Sequence, residues 1–518
     1  MRTKTITTLS LLVVTLAASP PSARTLDGTV KLGGVIENQD GDRSAVQETY
    51  NVYDGFSVAE IGLNGMLNPR HYVALHLRDV NLDSRQGDFV YRVPDTFKLT
   101  AGFDQDRQIS SPEAGVNARR RDWKAGAQFT PVPWLGLSGA FNHLTRDGNR
   151  LSFPSGTVSV LGTRYDNALK SGDVTADVRK GRRGGSITYR ASGYTDELDP
   201  AANRTGQVVS ARLYAPSPFY DKWTHFLRAA YGNRKLSDTD LEYTLANFQY
   251  TGILQPVDAF RLRYNFDANR IDDKSTRLKT ARFQNDLDAT SSYKYGQFSG
   301  GYGYETNDDD RTLTSYNNWR AGTAFHYQKY VSAKVDYASR VRKDQEELTL
   351  LKDVEASQVK AKVQLQPRAD VVLGGGYSKR ERELPDIGVS VDGEAVSAFG
   401  RYDRKGWGAL SGNYSFSTDD YKDLAGGFHT ESHVVTGRVE FDRIKDLRLA
   451  AGLTYLDIGR DLDIEKSIVS LEGVYTMLND YHLEIKYNAY NYDDYILLDR
   501  YYTANVVRIN VGYDFHLK

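Results

Sequence analysis

From about residue 28 onward, apolar side chains recur at every second position with polar or small residues between them, the pattern of a strand lying between one apolar and one polar environment. Val435, Gly437, Val439 and Phe441 alternate with Thr436, Arg438 and Glu440. Leu447, Leu449, Ala451, Leu453 and Tyr455 then repeat the pattern, followed by Val469 to Met477, Tyr481 to Ala489 and Val507 to Phe515. Each segment runs for about 10 to 12 residues, the span of a tilted transmembrane strand and twice the length usual in soluble sheets. Aromatic residues collect at segment ends, as at Trp123, Trp134, Trp223, Tyr330 and Tyr481, where a membrane-spanning sheet builds its interfacial girdles.

Counting these segments predicts an all-β, antiparallel transmembrane barrel of about 26 strands, within a range of 22–26, from 28–37 and 56–66 to 481–492 and 502–517. Connections after even-numbered segments are tight, such as Pro131 to Pro133, Gly181 to Gly184 and Pro367 to Arg368. Those after odd-numbered segments read as long polar loops, among them 38–55, 106–119, 145–170, 307–317 and 381–394. Short turns on one rim and long loops on the other predict an outer membrane location with both termini periplasmic. The last segment ends Val511-Gly512-Tyr513-Asp514-Phe515, an apolar-aromatic alternation like the signal read by barrel-assembly machinery.

Ahead of the first segment, Arg2 and Lys4 precede a short apolar core from Leu9 to Ala18 and a run of small residues. This core is too short to span a bilayer and predicts a cleaved signal peptide over 1–24, leaving 25–518 as a single barrel domain. Composition narrows the picture. A mean hydropathy of -0.54 and the lack of any apolar run of membrane-helix length exclude a helical bundle. The 66 basic and 67 acidic residues balance, so no nucleic-acid partner is expected. With no cysteine among 518 residues, disulfides, cysteine-based zinc sites, iron-sulfur ligation and covalent CxxCH haem attachment are all excluded for this chain.

With strands ~4.8 Å apart and tilted by roughly 40°, 26 of them enclose a backbone diameter on the order of 50 Å. An open hole of that size would abolish the permeability barrier, so large barrels carry a plug or an inserted partner. The segments leave no stretch long enough for a plug, which predicts that another protein fills the lumen. Alternation places Arg261, Arg263, Arg282, Asp286, Lys334, Asp336, Lys360, Lys362, Arg438, Glu440, Glu484, Lys486 and Arg508 on the lumen side, together with Asp288, Arg340 and Asp514. Their mixed sign suits contact with a polar protein partner better than selection of one ion type.

Three motifs stand in the opening strands: Gly28 to Gly34 (GTVKLGG), Glu48 to Phe56 (ETYNVYDGF) and Leu77 to Phe89 (LRDVNLDSRQGDF). Together they resemble the opening strands of the MtrB/PioB family, the barrel components of porin-cytochrome electron conduits. The resemblance implies a barrel that sheathes a periplasmic multihaem c-type cytochrome inserted in its lumen, with a second multihaem cytochrome docked at the outer surface in many members. Haem c then belongs to the partner, and no cofactor is bound by this chain. The N-terminal cysteine pair of some members is absent here, which separates the chain from those members.

Remaining chemistry is sparse. His429 and His433 are the closest histidine pair and read as wall or girdle residues, and Asp40-Gly41-Asp42 and Asp308-Asp309-Asp310 read as solvated acidic loops in preference to Ca²⁺ sites. No catalytic or metal site is assigned, and no enzyme is expected. The competing reading is a substrate-specific or export porin narrowed by inward-folded loops.

Overall fold

The computed structural model describes residues 25–41, 55–111, 116–152, 161–237, 241–309, 312–344, 353–423, 426–477, 480–495 and 500–517. The expected signal peptide, Asp42, Asp310 and most of the ETYNVYDGF motif lie outside them. The strands are β1 (Thr25–Gly41), β2 (Gly55–Asn68), β3 (His71–Arg78), β4 (Arg85–Val93), β5 (Phe97–Ser111), β6 (Val116–Val132), β7 (Leu135–Ser152), β8 (Leu161–Lys180) and β9 (Arg183–Asp196). They continue with β10 (Arg204–Pro216), β11 (Trp223–Leu236), β12 (Glu242–Val257), β13 (Phe260–Asp273), β14 (Lys279–Tyr293), β15 (Gly296–Asp308), β16 (Leu313–Tyr327), β17 (Val331–Asp344) and β18 (Val354–Arg368). The last are β19 (Val371–Leu384), β20 (Val389–Arg404), β21 (Gly408–Asp423), β22 (Gly426–Phe441), β23 (Leu447–Arg460), β24 (Ile464–Met477), β25 (Tyr481–Asp494) and β26 (Arg500–Leu517).

Every strand pairs antiparallel with its sequence neighbour, and β26 pairs with β1 from Leu26↔Leu517 to Gly41↔Tyr502, so the sheet closes on itself. The fold is that of a large outer-membrane β-barrel. Each of the 26 segments read from the sequence is a strand here, because the lipid environment imposes the alternation that made them visible. The outer face is apolar: Val174 is 63% exposed, Ile187 62% and Tyr231 65%, values that a soluble sheet would not tolerate over a whole face.

The loops differ from expectation. The segment 145–170 is largely strand, with β7 reaching Ser152 and β8 beginning at Leu161, and the connections after β15 and β19 shrink to 309–312 and 385–388. Beyond the membrane both faces of a strand meet water, so the chain stays paired but loses its period-2 signal. Extended hairpins therefore rise from this rim, here called the loop rim. Asp40 and Asp308 accordingly sit in strands and not in loops. At the other rim, turns such as 181–182 and 405–407 rely on the left-handed Gly181 (φ 60°) and Gly406 (φ 72°), and Thr25 and Leu517 lie at this same rim.

The seam leaves no room for a side chain at Gly33, which would start 2.0 Å from the backbone carbonyl oxygen of Ile509, so glycine there lets β1 lie this close to β26. Residues 79–84, expected in part to prolong the third strand, instead leave it as a connection whose start lies against β2: Asp79 donates its amide to Ala59 O at 3.0 Å, and its carboxylate receives the lumen-facing Arg508 at 3.2 Å. Leu82 of this segment is 3% exposed.

Candidate functional site

A closed sheet has two faces, and register assigns each side chain to one of them. Residues paired across strands share a face, so the exposed apolar rows define the outside and the intervening positions define the lumen wall. By this test all thirteen partner-contact candidates lie on the inner face. Arg263 pairs with Asp288 between Tyr264↔Leu287 and Leu262↔Ala289, and Arg438 pairs with Gly452 between Gly437↔Leu453 and Val439↔Ala451.

What the wall does with these charges depends on the arc. From β22 through the seam to β3, the inner charges neutralise one another. Glu440 holds Arg438 at 2.7 Å and Arg448 at 3.3 Å, Glu472 takes Arg438 at 3.7 Å and Lys486 at 3.8 Å, and Glu484 holds Lys486 at 2.8 Å. Beyond the seam Glu60 binds Lys31 at 2.7 Å and His76 at 3.1 Å. Arg508 is engaged with Asp79, as described above. A second neutral patch lies on β14–β17: Arg320 reaches Asp286 and Asp288, each at 3.0 Å, while Glu305 accepts Arg282 at 2.9 Å and Arg340 at 3.4 Å, and Lys334 binds Asp336 at 2.7 Å. Nine of the thirteen candidates are thus occupied by partners within the wall.

Arg261, Arg263, Lys360 and Lys362 are the exceptions. They are exposed, and among the described residues none of them makes an ion pair. Arg261 and Arg263 belong to a larger cationic arc, β10–β13, that includes Arg204, Arg212, Arg228 and Arg234. Arg212 and Arg228 face each other directly across β10 and β11, an arrangement that costs stability unless a negative charge meets it. The Nε of Arg228 is buried without a hydrogen-bond partner. Arg204 stacks its guanidinium 4.5 Å from the centre of the Tyr194 ring. These arginines run from the loop rim, at Arg204, to the turn rim, at Arg261. In the sequence, the alternation of Arg212 with Leu213 and of Arg228 with Leu227 is the signal that places these arginines on the inner face, as alternation does for Arg261 and Arg263.

The lumen wall is not uniformly polar. Tyr502 and Ala504, inward by register, are 0% and 2% exposed, and Tyr490 and Tyr492 pack against them near the loop rim. His429 and His433 both lie in β22 and face outward. His429 sits between Asp420 (2.5 Å) and Glu431 (3.4 Å), whereas His433 packs against the Tyr414 and Phe416 rings as a girdle residue. Among the described residues no group of three or more histidine or acidic side chains is placed to hold a metal ion.

No family model matches the chain, and no curated protein matches it in sequence. Solved structures do. A mutant of the ferric enterobactin receptor of Pseudomonas aeruginosa in complex with enterobactin superposes with a TM-score of 0.54 at 8% identity, covering 96% of this chain and 82% of that one. Two variants of the FrpB iron transporter from Neisseria meningitidis give TM-scores of 0.53 at 10% identity, covering 95% of this chain and 82% of that one, and 0.52 at 9% identity, covering 96% and 83%. At such identities the likeness is one of fold: a large barrel wall.

Proposed function

We propose that this protein is a sheath in the outer membrane, surrounding a separate multihaem c-type cytochrome and holding it across the bilayer for extracellular electron transfer. The loop rim faces outward and the turn rim, with both termini, faces the periplasm, as short turns do in such barrels. The observation that carries the reading is the distribution of charge on a wall this wide. The described residues are spent on strands and their connections and leave none for a plug, while a lumen of about 50 Å needs an occupant. That occupant meets a neutralised wall on β22–β3 and a positive one on β10–β13, centred twelve strands away in a ring of 26, and so on the far side.

Such polarity favours one rotational setting of a partner whose acidic face turns toward β10–β13. When bound, the partner's haems supply the redox chemistry. The chain's own contribution is physical: its outer rows exclude lipid, its inner arginines orient the partner, and its long hairpins extend the sheath beyond the hydrocarbon. The motifs resembling the MtrB/PioB family support this reading over others.

A second reading draws on the same arginines. A column of unpaired cations from rim to rim would also serve a porin selective for anionic solutes. Purification of the tagged protein from its native outer membrane in mild detergent, followed by a visible spectrum and haem stain, separates the two. Stoichiometric Soret absorbance on a separate polypeptide supports the sheath. A colourless barrel that conducts anions without any partner rejects it in favour of the porin.

A further inference from the structure

On the outer face, just above the membrane girdle, β4–β7 carry arginines that the lumen account does not use. Register arranges them in rows. Gly87, Phe103, Trp123 and His143 form an aromatic row, with Phe103 and Trp123 centred 4.1 Å apart. The next row toward the loop rim is Arg85, Gln105, Arg121 and Thr145, and the row beyond it is Arg107, Arg119 and Asp147. All share the outward face of Phe103 and Trp123.

Four guanidiniums thus crowd three strands, met among the described residues by the carboxylates of Asp83, on Arg107, and Asp147, 3.5 Å from Arg121. Arg85, Arg119 and Arg121 are close enough for their charges to repel. The cluster is built, not loose. Gln105, 4% exposed at its centre, donates to Asp83 O at 2.7 Å and accepts from Arg85 at 3.2 Å, and the Arg85 guanidinium lies 5.5 Å from the centre of the Phe103 ring. The Nε atoms of both Arg85 and Arg119 are buried without a hydrogen-bond partner. Positive charge at this height is not general to the rim: on β23–β25 the outward row is Asp457, Glu465 and Asp493, and Asp493 beside Tyr495 pushes that phenol up from its ordinary range.

We infer that the Arg85, Arg107, Arg119 and Arg121 cluster binds the phosphoryl headgroup of an outer-leaflet membrane lipid, a phosphorylated lipid A. Guanidinium forks match phosphate oxygens in pairs, and several of them gathered on the outward face just above an aromatic row can meet a headgroup phosphate. Directly beneath, Trp123, Phe103 and Phe141 offer apolar surface for acyl chains, which a free phosphate ion would not use. The identity of the leaflet rests on the loop rim facing outward; the phosphate site itself does not depend on the lumen's occupant.

The test uses the full-length barrel in detergent, exchanged free of native lipid and titrated with micelles of phosphorylated or dephosphorylated lipid A, with bound lipid counted by native mass spectrometry. Wild type should retain the phosphorylated form. An Arg119→Gln, Arg121→Gln double variant should bind it about tenfold more weakly or worse, since each lost charge-assisted contact weakens binding by about that factor. Arg119→Lys, Arg121→Lys should fall between them, and Glu465→Gln should match wild type. A heat-dependent gel shift establishes that each variant is folded, and if the glutamine pair does not fold, the lysine pair carries the comparison. Equal retention by wild type and the arginine variants overturns the inference, as does retention of the dephosphorylated lipid. Displacement by inorganic phosphate at about 10 mM, far above any affinity a lone exposed anion contact would need, also overturns the lipid and leaves a free-anion site. An epitope inserted at 461–463 and probed on whole cells reports orientation separately. Its burial in the periplasm would overturn the assignment to outer-leaflet lipid, while leaving the micelle result to judge the phosphate site.

Discussion

Two opposite arcs of the lumen wall solve the same problem differently. From β22 across the seam to β3, inner charges pair with opposite charges a few ångströms away; from β10 to β13, six arginines make no ion pair among the described residues, and two of them face each other in register. The first arc contains the closure of the barrel and must be satisfied by its own residues. The second carries repulsion between facing like charges, which the acidic occupant proposed above would offset. Local charge pairing thus separates the two arcs where composition, with 66 basic and 67 acidic residues, does not.

The most severe way to break the comparison is to open the self-sufficient arc. Gly33→Leu places a side chain 2.0 Å from the backbone carbonyl oxygen of Ile509 in the seam, and assembly into the outer membrane should fall by more than about tenfold, read as loss of the heat-modifiable band. Normal assembly would mean that the seam is repacked and not closed by this contact. Next in size, Arg212→Glu with Arg228→Glu should reduce co-purification of the lumen partner by about tenfold without lowering barrel stability, since the pair is repulsive to begin with. An unchanged yield of partner would place the docking surface elsewhere.

Smaller effects sharpen the contrast. Glu440→Gln takes from Arg438 its nearer carboxylate, at 2.7 Å, and from Arg448 the one it reaches at 3.3 Å, and should cost about 0.5–1 kcal/mol, measurable as a drop in the unfolding midpoint. Arg212→Gln should do the reverse, raising the stability of the partner-free barrel by a few tenths of a kcal/mol, about the size of relief from one facing like-charge pair. If the two glutamine variants shift stability in the same direction, the arcs do not differ as described.

The membrane-spanning part of the fold was legible in the sequence because lipid on one side and polar surroundings on the other write the same period into every strand. Outside the membrane that contrast ends, so 145–170 read as a loop although β7 and β8 pair through most of it. Inner-face membership was equally legible, since Arg261, Lys362 and Glu484 follow directly from alternation. Which charges are spent was not: Arg282 and Arg263 look alike in the sequence, and only the register that brings Glu305 to Arg282 tells them apart. The outer arginines Arg85, Arg119 and Arg121 escaped for a related reason, because they lie in the stretch beyond the girdle where alternation no longer signals a face.

The most direct test of the central claim is photocrosslinking from the lumen wall in native membranes, with a crosslinker placed at Arg212 and, as the outward control, at Tyr231. The account expects a haem-staining adduct from position 212 and none from 231. No adduct from position 212, in a barrel shown to be folded and natively expressed, would contradict a cytochrome seated against β10–β13.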